Sequence, residues 1–130
     1  MRNIHDKHFE DLLNQRAPER YAYFIRQVAD WEEVWTLRTA VGFCLMANDD
    51  VRELVPVWPH KRFAEACAVA EFAGAEAVPI SLEQWIQRWL PGMQEDGRGV
   101  AVFPTPGGQG AIVEPNQMLT DLESECEQYE

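Results

Sequence analysis

The chain has 130 residues, 46% of them hydrophobic, and carries 22 acidic and 11 basic side chains for a formal net charge of −11. This length suits one domain, the apolar content excludes disorder over the whole chain, and no apolar run approaches the ~20 residues of a membrane helix. The charged N-terminus lacks the apolar centre of a signal peptide, so we expect a cytoplasmic protein.

The first half of the chain predicts two helices followed by three strands. A short helix is expected within residues 1–16, where the terminus can be mobile, and APERYAYFIRQVADW has the apolar spacing of a longer amphipathic helix. EVWTLRT and RELVPVWP alternate as half-buried strands do, and the continuously apolar VGFCLMA between them predicts a central strand. Pro56 cannot donate to a β-ladder, so the third strand is expected to be an edge strand or to break there.

The second half predicts three helices and a hairpin. A helix is expected from Lys61 to Gly74, then a brief extended link at EAVPI. SLEQWIQRWL opens with a capping box formed by Ser81 and Gln84, and PGMQEDG is expected to end that helix. GVAVFPTPGGQGAIVEP predicts two strands around a Pro/Gly loop, and NQMLTDLESECEQYE predicts a terminal helix capped by Asn116. The sum is a single α+β domain over residues 1–130, with a mainly antiparallel sheet of about five strands covered by about five helices.

The acidic excess lies almost entirely in the second half. Residues 63–130 contain 12 acidic side chains and two basic ones, Arg88 and Arg98. Proteins that bind nucleic acid neutralise phosphates with Lys and Arg, so we expect no nucleic-acid partner and no membrane partner. The acidity either keeps the protein soluble or attracts a basic partner protein.

No residue pattern points clearly to catalysis, a metal or a cofactor. Three separated cysteines (Cys44, Cys67 and Cys126) form no C-x-x-C pair, and His5 and His8 have no third histidine in range. The glycines of TPGGQG lie between strands and precede neither a helix nor a lysine, unlike a phosphate-binding loop. We therefore expect no catalytic residues, no metal ligands and no cofactor.

The segment VPVWPHKRF is the best candidate for a binding site. Trp58 lies between two prolines, which would hold it rigid, as suits an interface anchor. His60, Lys61 and Arg62 place three basic side chains at a helix start, where the helix dipole disfavours them. Phe103 ends a similar proline-containing strand and could lie nearby. The alternative is that Trp58 packs in the core and the basic side chains face solvent.

Several blocks also resemble a known family. They are ERYAYFIRQVADWEEVWTL, LVPVWPHKRFAEAC, IQRWLPGMQEDGRGVAVFPTP and GAIVEP. They resemble the bacterial family known as domain of unknown function 2750, from about Pro18 to the terminal helix. This resemblance implies a small, single-domain, cytoplasmic bacterial protein and assigns no activity and no site residues. A weaker likeness to SseB-type proteins, in the strand–helix and strand–proline pattern, implies a role in protein–protein interaction.

Two functional hypotheses follow from the sequence. The favoured one is a non-enzymatic interaction module, such as an adaptor, a regulator or an immunity-like protein, whose partner is another protein. The alternative is a small-ligand binder or enzyme, in which Lys61 and Arg62 hold an anionic ligand near Trp58 and His60. The sequence leaves the oligomeric state open.

Overall fold

The computed structural model describes residues 6–40, 42–47, 53–68, 72–105 and 110–127. Its helices are α1 (Asp6–Leu13), α2 (Ala17–Trp31), α3 (Lys61–Ala66), α4 (Leu82–Gln84), α5 (Leu90–Asp96) and α6 (Pro115–Glu127), with a π-helical turn (Trp85–Trp89) between α4 and α5. Its strands are β1 (Glu33–Thr39), β2 (Gly42–Phe43), β3 (Met46–Ala47), β4 (Glu53–Val57), β5 (Glu76–Ser81), β6 (Gly99–Val102) and β7 (Ala111–Val113).

The strands form two sheets. The first has the order β2-β1-β5 and is antiparallel. The second has the order β3-β4-β6-β7, in which β4 and β6 run parallel and the outer pairs are antiparallel. Trp35 and Trp58 exchange backbone hydrogen bonds of 2.9 and 2.8 Å, which tie the end of β4 to β1. The α+β class is confirmed, whereas the prediction of one mainly antiparallel five-stranded sheet is wrong.

Pro56 lies in an internal strand, contrary to the prediction of an edge or a break. Backbone polar groups alternate sides along a strand, and the carbonyl of Pro56 accepts a bond from the Thr36 hydroxyl at 2.7 Å, on the side facing β1. β3 pairs only with Glu53 and Leu54 and has already ended at this point. The missing N–H of Pro56 therefore removes no bond from either ladder of β4.

The apolar run VGFCLMA forms no central strand. It divides into β2 and β3, which lie at the edges of different sheets. Between them, Cys44 is buried and its N–H donates to the carbonyl of Leu37 at 2.9 Å. Phe43 and Leu45 on either side remain 43% and 37% exposed. The run therefore crosses from one sheet to the other, and two of its large side chains face outward.

Two further boundaries differ from the predictions. α3 ends at Ala66, well before Gly74, and residues 69–71 lie outside the described part of the chain. EAVPI belongs to β5, which pairs with β1 from Glu76 to Ser81. The alternation in EAVPI is broken by Pro79, and Pro79 is tolerated because β5 is an edge strand of its sheet.

The segment after β5 is helical from Leu82 to Asp96. Ser81 caps its start as predicted, since its hydroxyl accepts the N–H of Gln84 at 3.2 Å. PGMQEDG was predicted to break this helix, but the helix continues through all of that segment except its last residue. In an α-helix, a proline ring clashes with the carbonyl four residues earlier. Here the turn before Pro91 is a wider π turn, in which the N–H of Leu90 donates to the carbonyl of Trp85, five residues earlier. This wider turn accommodates Pro91 within the helix. Gly97, at φ 76°, ends the helix.

The remaining predicted elements are present, and they pack around the core. α2 spans APERYAYFIRQVADW, β6 and β7 form the expected hairpin, and α6 packs on α2 and α5. α6 begins at Pro115, so Asn116 lies in its first turn and is not the cap. None of the helices described here is long and apolar enough to cross a membrane. The largest fully buried side chains include Trp58, Trp85, Phe24, Phe63 and Phe103.

Candidate functional site

Trp58 and Phe103, two of the predicted site residues, are both completely buried. The indole N–H of Trp58 donates to the carbonyl of Pro104 at 2.8 Å, and the thiol of Cys67 donates to the same oxygen at 3.3 Å. The N–H of Phe103 donates to the carbonyl of Val57 at 2.8 Å. The two proline-containing strand ends therefore meet, as expected, but they meet inside the core, where Trp58 packs and presents no exposed anchor.

Phe103 has a left-handed backbone, with φ 57°, which costs a side-chain-bearing residue about 1–2 kcal/mol. The buried guanidinium of Arg20 donates to the Phe103 carbonyl at 3.2 Å and also to the carbonyl of Gln15. Burial lowers the pKa of Arg20 from its ordinary value. The hydrogen bond from Arg20 helps to hold the strained backbone of Phe103 in place. Because the ring of Phe103 is fully buried, a ligand cannot reach it.

His60 is also buried, at 5% exposure, and lies at the N-terminal boundary of α3. Its Nε2 lies 2.8 Å from the hydroxyl of Tyr23. The rings of Trp31 and Phe63 pack on it, with centroids 4.3 and 5.8 Å away. Burial raises the pKa of Tyr23 to about 12, so the phenol stays protonated at neutral pH. This arrangement supports packing of the α2–α3 contact.

Lys61 and Arg62 are more exposed than the other three predicted site residues. Lys61 is exposed, and Arg62 is partly buried at the first turn of α3. α3 has only six residues, so its helix dipole provides little attraction for an anion. The structure thus brings Trp58, His60 and Phe103 into the interior and leaves Lys61 on the surface.

A different region has the form of a binding surface. An apolar groove of about 420 Å³ lies between the β2–β3 segment, β4 and the helix that contains the π turn. It is lined by Phe43, Leu45, Val55, Arg88, Trp89, Gly92, Met93, Asp96 and Arg98. We call it the Phe43–Trp89 groove, because these two rings meet edge to face with centroids 4.7 Å apart. Val55 and Met93 are buried, which gives the groove an apolar floor.

The two arginines of the Phe43–Trp89 groove differ in their partners. Arg98 pairs with Glu53 at 3.2 Å and with Asp96 at 3.3 Å. Arg88 is exposed, and no carboxylate lies within ion-pair distance of it in the described ranges. The groove therefore combines an apolar surface with one cation that is not neutralised. Arg88 and Arg98 are also the two basic residues of the acidic second half.

Among the residues that the structure describes, no other candidate cluster forms a chemical site. No group of three metal-ligating side chains occurs in the part of the protein that the structure describes. The side chains of His5 and His8 lie outside that part, as do residues 106–109 of the glycine loop. Burial raises the pKa of Cys44, and that of Cys67 to about 11, so neither thiol is activated as a nucleophile at neutral pH.

The sequence interpretation did not identify the Phe43–Trp89 groove. Trp89 belongs to the predicted helix SLEQWIQRWL and Phe43 to the predicted central strand VGFCLMA, and neither prediction marked a binding surface. One signal pointed towards the groove: Arg88 and Arg98 stand alone as basic residues among 12 acidic ones in residues 63–130. Isolated cations in an acidic region are candidates for a specific role, and here both line the same groove.

Comparison with known proteins assigns a family. The family model described as protein of unknown function (DUF2750) matches residues 21–122. The chain belongs to the DUF2750 family. The match confirms the resemblance drawn from the sequence blocks, and it includes every residue of the Phe43–Trp89 groove. No curated protein matches this sequence. No solved structure matches it either.

Proposed function

We propose that this DUF2750 protein is a non-enzymatic interaction module that binds another protein through the Phe43–Trp89 groove. One observation carries the proposal: Phe43 and Leu45 are large apolar side chains left 43% and 37% exposed beside the ring of Trp89. Exposed apolar patches with a polar rim are typical of protein interaction sites, and Trp and Arg are enriched among the residues that dominate binding energy.

The burial of Trp58 and Phe103, which the sequence suggested as binding residues, favours the Phe43–Trp89 groove as the contact surface. A partner cannot reach Trp58 or Phe103 without opening the core, because both are fully buried. The groove, in contrast, is open and has buried apolar residues at its base. A rigid base with exposed apolar walls loses little conformational entropy on binding.

Site-specific photo-crosslinking tests the proposal. A photoreactive amino acid replaces Leu45 in the groove or, as a matched control, Ile112 on β7, which is 42% exposed and outside the groove. Irradiation in native lysate should give a discrete crosslinked protein from position 45 and none from position 112. The same crosslinks from both positions would contradict the proposal.

A groove-filling variant makes the test independent of folding defects. Gly92 lines the groove, and a Cβ there meets nothing within 4 Å. Gly92→Leu places a good helix former in a helix and projects a side chain into open space. We expect it to abolish the crosslink from position 45 while the far-ultraviolet circular dichroism stays unchanged. A crosslink that persists in the Gly92→Leu protein would overturn the assignment of the groove.

A further inference from the structure

We infer that the segment bound in the Phe43–Trp89 groove is an apolar stretch of a partner protein that carries one carboxylate, and that this carboxylate pairs with Arg88. The inference rests on the proposed function and adds the chemistry of the partner. The inference rests on the ion pairs of the two groove arginines. The apolar lining alone would not indicate a charged partner.

Of the two arginines that line the groove, only Arg98 has ion-pair partners among the described residues. Arg98 is held between Glu53 and Asp96, at 3.2 and 3.3 Å. These three groups together carry a surplus of one negative charge, so a second anion gains little by approaching Arg98. Arg88 has no such carboxylate among the described residues and is exposed. An incoming anion is therefore attracted to Arg88.

The geometry of the helix keeps Arg88 next to the apolar surface. Arg88 lies in the π turn immediately before Trp89, and both side chains line the groove. A segment that covers Phe43, Leu45 and Trp89 excludes water near Arg88, which strengthens an ion pair there. The planar guanidinium binds a carboxylate through two parallel hydrogen bonds, so it selects Asp, Glu or the terminal carboxylate of a peptide.

The net charge of the protein also limits the charge that the partner surface can carry. At −11, the protein repels strongly acidic surfaces. A long acidic segment would meet this repulsion along its whole length, whereas an apolar segment with one carboxylate meets it at one point. The partner surface around that segment is therefore neutral or basic, in line with the second of the two explanations of the acidity, a basic partner protein.

Selection from displayed random twelve-residue peptides tests the inference on the purified full-length protein. Enriched peptides should combine apolar residues with one Asp or Glu. Their affinity should fall about ten- to hundredfold on Arg88→Gln, as expected for the loss of a charge-assisted hydrogen bond. Arg38→Gln is the matched control, because Arg38 is exposed on β1 and does not line the groove. It should leave the affinity unchanged.

A double-mutant cycle isolates the ion pair. Replacing the peptide Asp or Glu by Asn or Gln should weaken binding to the wild-type protein and have little further effect on the Arg88→Gln protein. Additive losses would overturn the inference. Peptides that lose binding on Gly92→Leu but are indifferent to Arg88→Gln would also overturn it, while leaving the proposed function in place.

Two further outcomes separate the failure of the inference from that of the proposed function. Peptides that bind the wild-type and Gly92→Leu proteins equally would overturn both, since they bind outside the groove. A concentration-dependent dimer in analytical ultracentrifugation that disappears in Gly92→Leu would show a second copy of the protein in the groove. That result would overturn the inference of a linear partner segment.

Discussion

Gly110 sets the position of the backbone where β7 returns to β6. Its φ is +78°, and a Cβ at this position would lie 2.4 Å from the carbonyl oxygen of Val102 and 2.9 Å from the carbonyl carbon of Phe103. Both are backbone atoms that cannot move aside. A residue without a Cβ is therefore required for this close approach to the backbone of residues 102–104, where the carbonyl of Pro104 accepts the indole N–H of Trp58.

Gly110→Ala should destabilise the protein by about 2 kcal/mol or more, because it adds both a backbone clash and a left-handed side-chain-bearing residue. Gly92→Ala is the matched control with the opposite sign. It should stabilise the protein by up to about 1 kcal/mol, since alanine has a higher helix propensity and a Cβ there meets nothing within 4 Å. Urea unfolding followed by tryptophan fluorescence measures both, and equal effects would contradict the geometry at Gly110.

The sequence indicated that Trp58 and Phe103 would lie near each other but did not indicate whether Trp58 is exposed. A tryptophan between two prolines is rigid in either setting, and sequence spacing does not say which face of the strand end meets the core. That choice depends on Trp35 and Pro104, which contact Trp58 from distant positions in the sequence. Long-range contacts of this kind leave no local pattern, so the sequence left both an exposed and a buried Trp58 open, and the structure has the buried one.

At the scale of elements, the helix around the π turn is fixed at its start by Ser81. Ser81→Ala should cost about 1 kcal/mol of stability, because the N–H of Gln84 loses its side-chain acceptor. Ser124→Ala provides the control, since Ser124 is exposed within α6. That change should be neutral or stabilising by about 0.5 kcal/mol. Thermal unfolding monitored by circular dichroism distinguishes the two, and equal melting temperatures would refute the capping role.

The elements predicted well are those with a clear period and local end signals. α2 combines apolar spacing with Pro18 in its first turn, and the predicted strand EVWTLRT coincides with β1, although the neighbours Thr36 and Leu37 are both buried. β5 was missed because EAVPI is short and contains Pro79, and its strand form depends on pairing with β1. VGFCLMA was assigned to one strand because continuous apolarity does not distinguish a central strand from a crossing between two sheets.

At the scale of the whole molecule, burial of neutral acids predicts a loss of stability in alkali. Burial raises the pKa of Cys67 from 9.0 to about 11 and that of Tyr23 from 10.0 to about 12. Both folded-state values exceed the unfolded ones, so the stabilisation is complete below pH 9 and is lost progressively as the pH rises to 12. The denaturant midpoint should therefore fall between pH 9 and pH 12.

Replacing one cysteine at a time tests how much of this loss of stability in alkali comes from the thiol of Cys67. Cys67→Ala should flatten the fall in midpoint between pH 9 and pH 11, because the group that must ionise on unfolding is gone. Cys126→Ala should retain the wild-type slope, since Cys126 lies partly exposed on α6. Parallel slopes in the wild-type and Cys67→Ala proteins would show that this thiol does not contribute.

The sheet topology also has a consequence during synthesis of the protein. β4 requires β6 as its parallel neighbour, β1 requires β5, and α2 packs against α6 near the C-terminal end. Neither sheet can close while only the first half of the polypeptide has left the ribosome. The apolar surfaces that α2, β1 and β4 bury against these later elements therefore remain uncovered by them until β5, β6 and α6 have emerged.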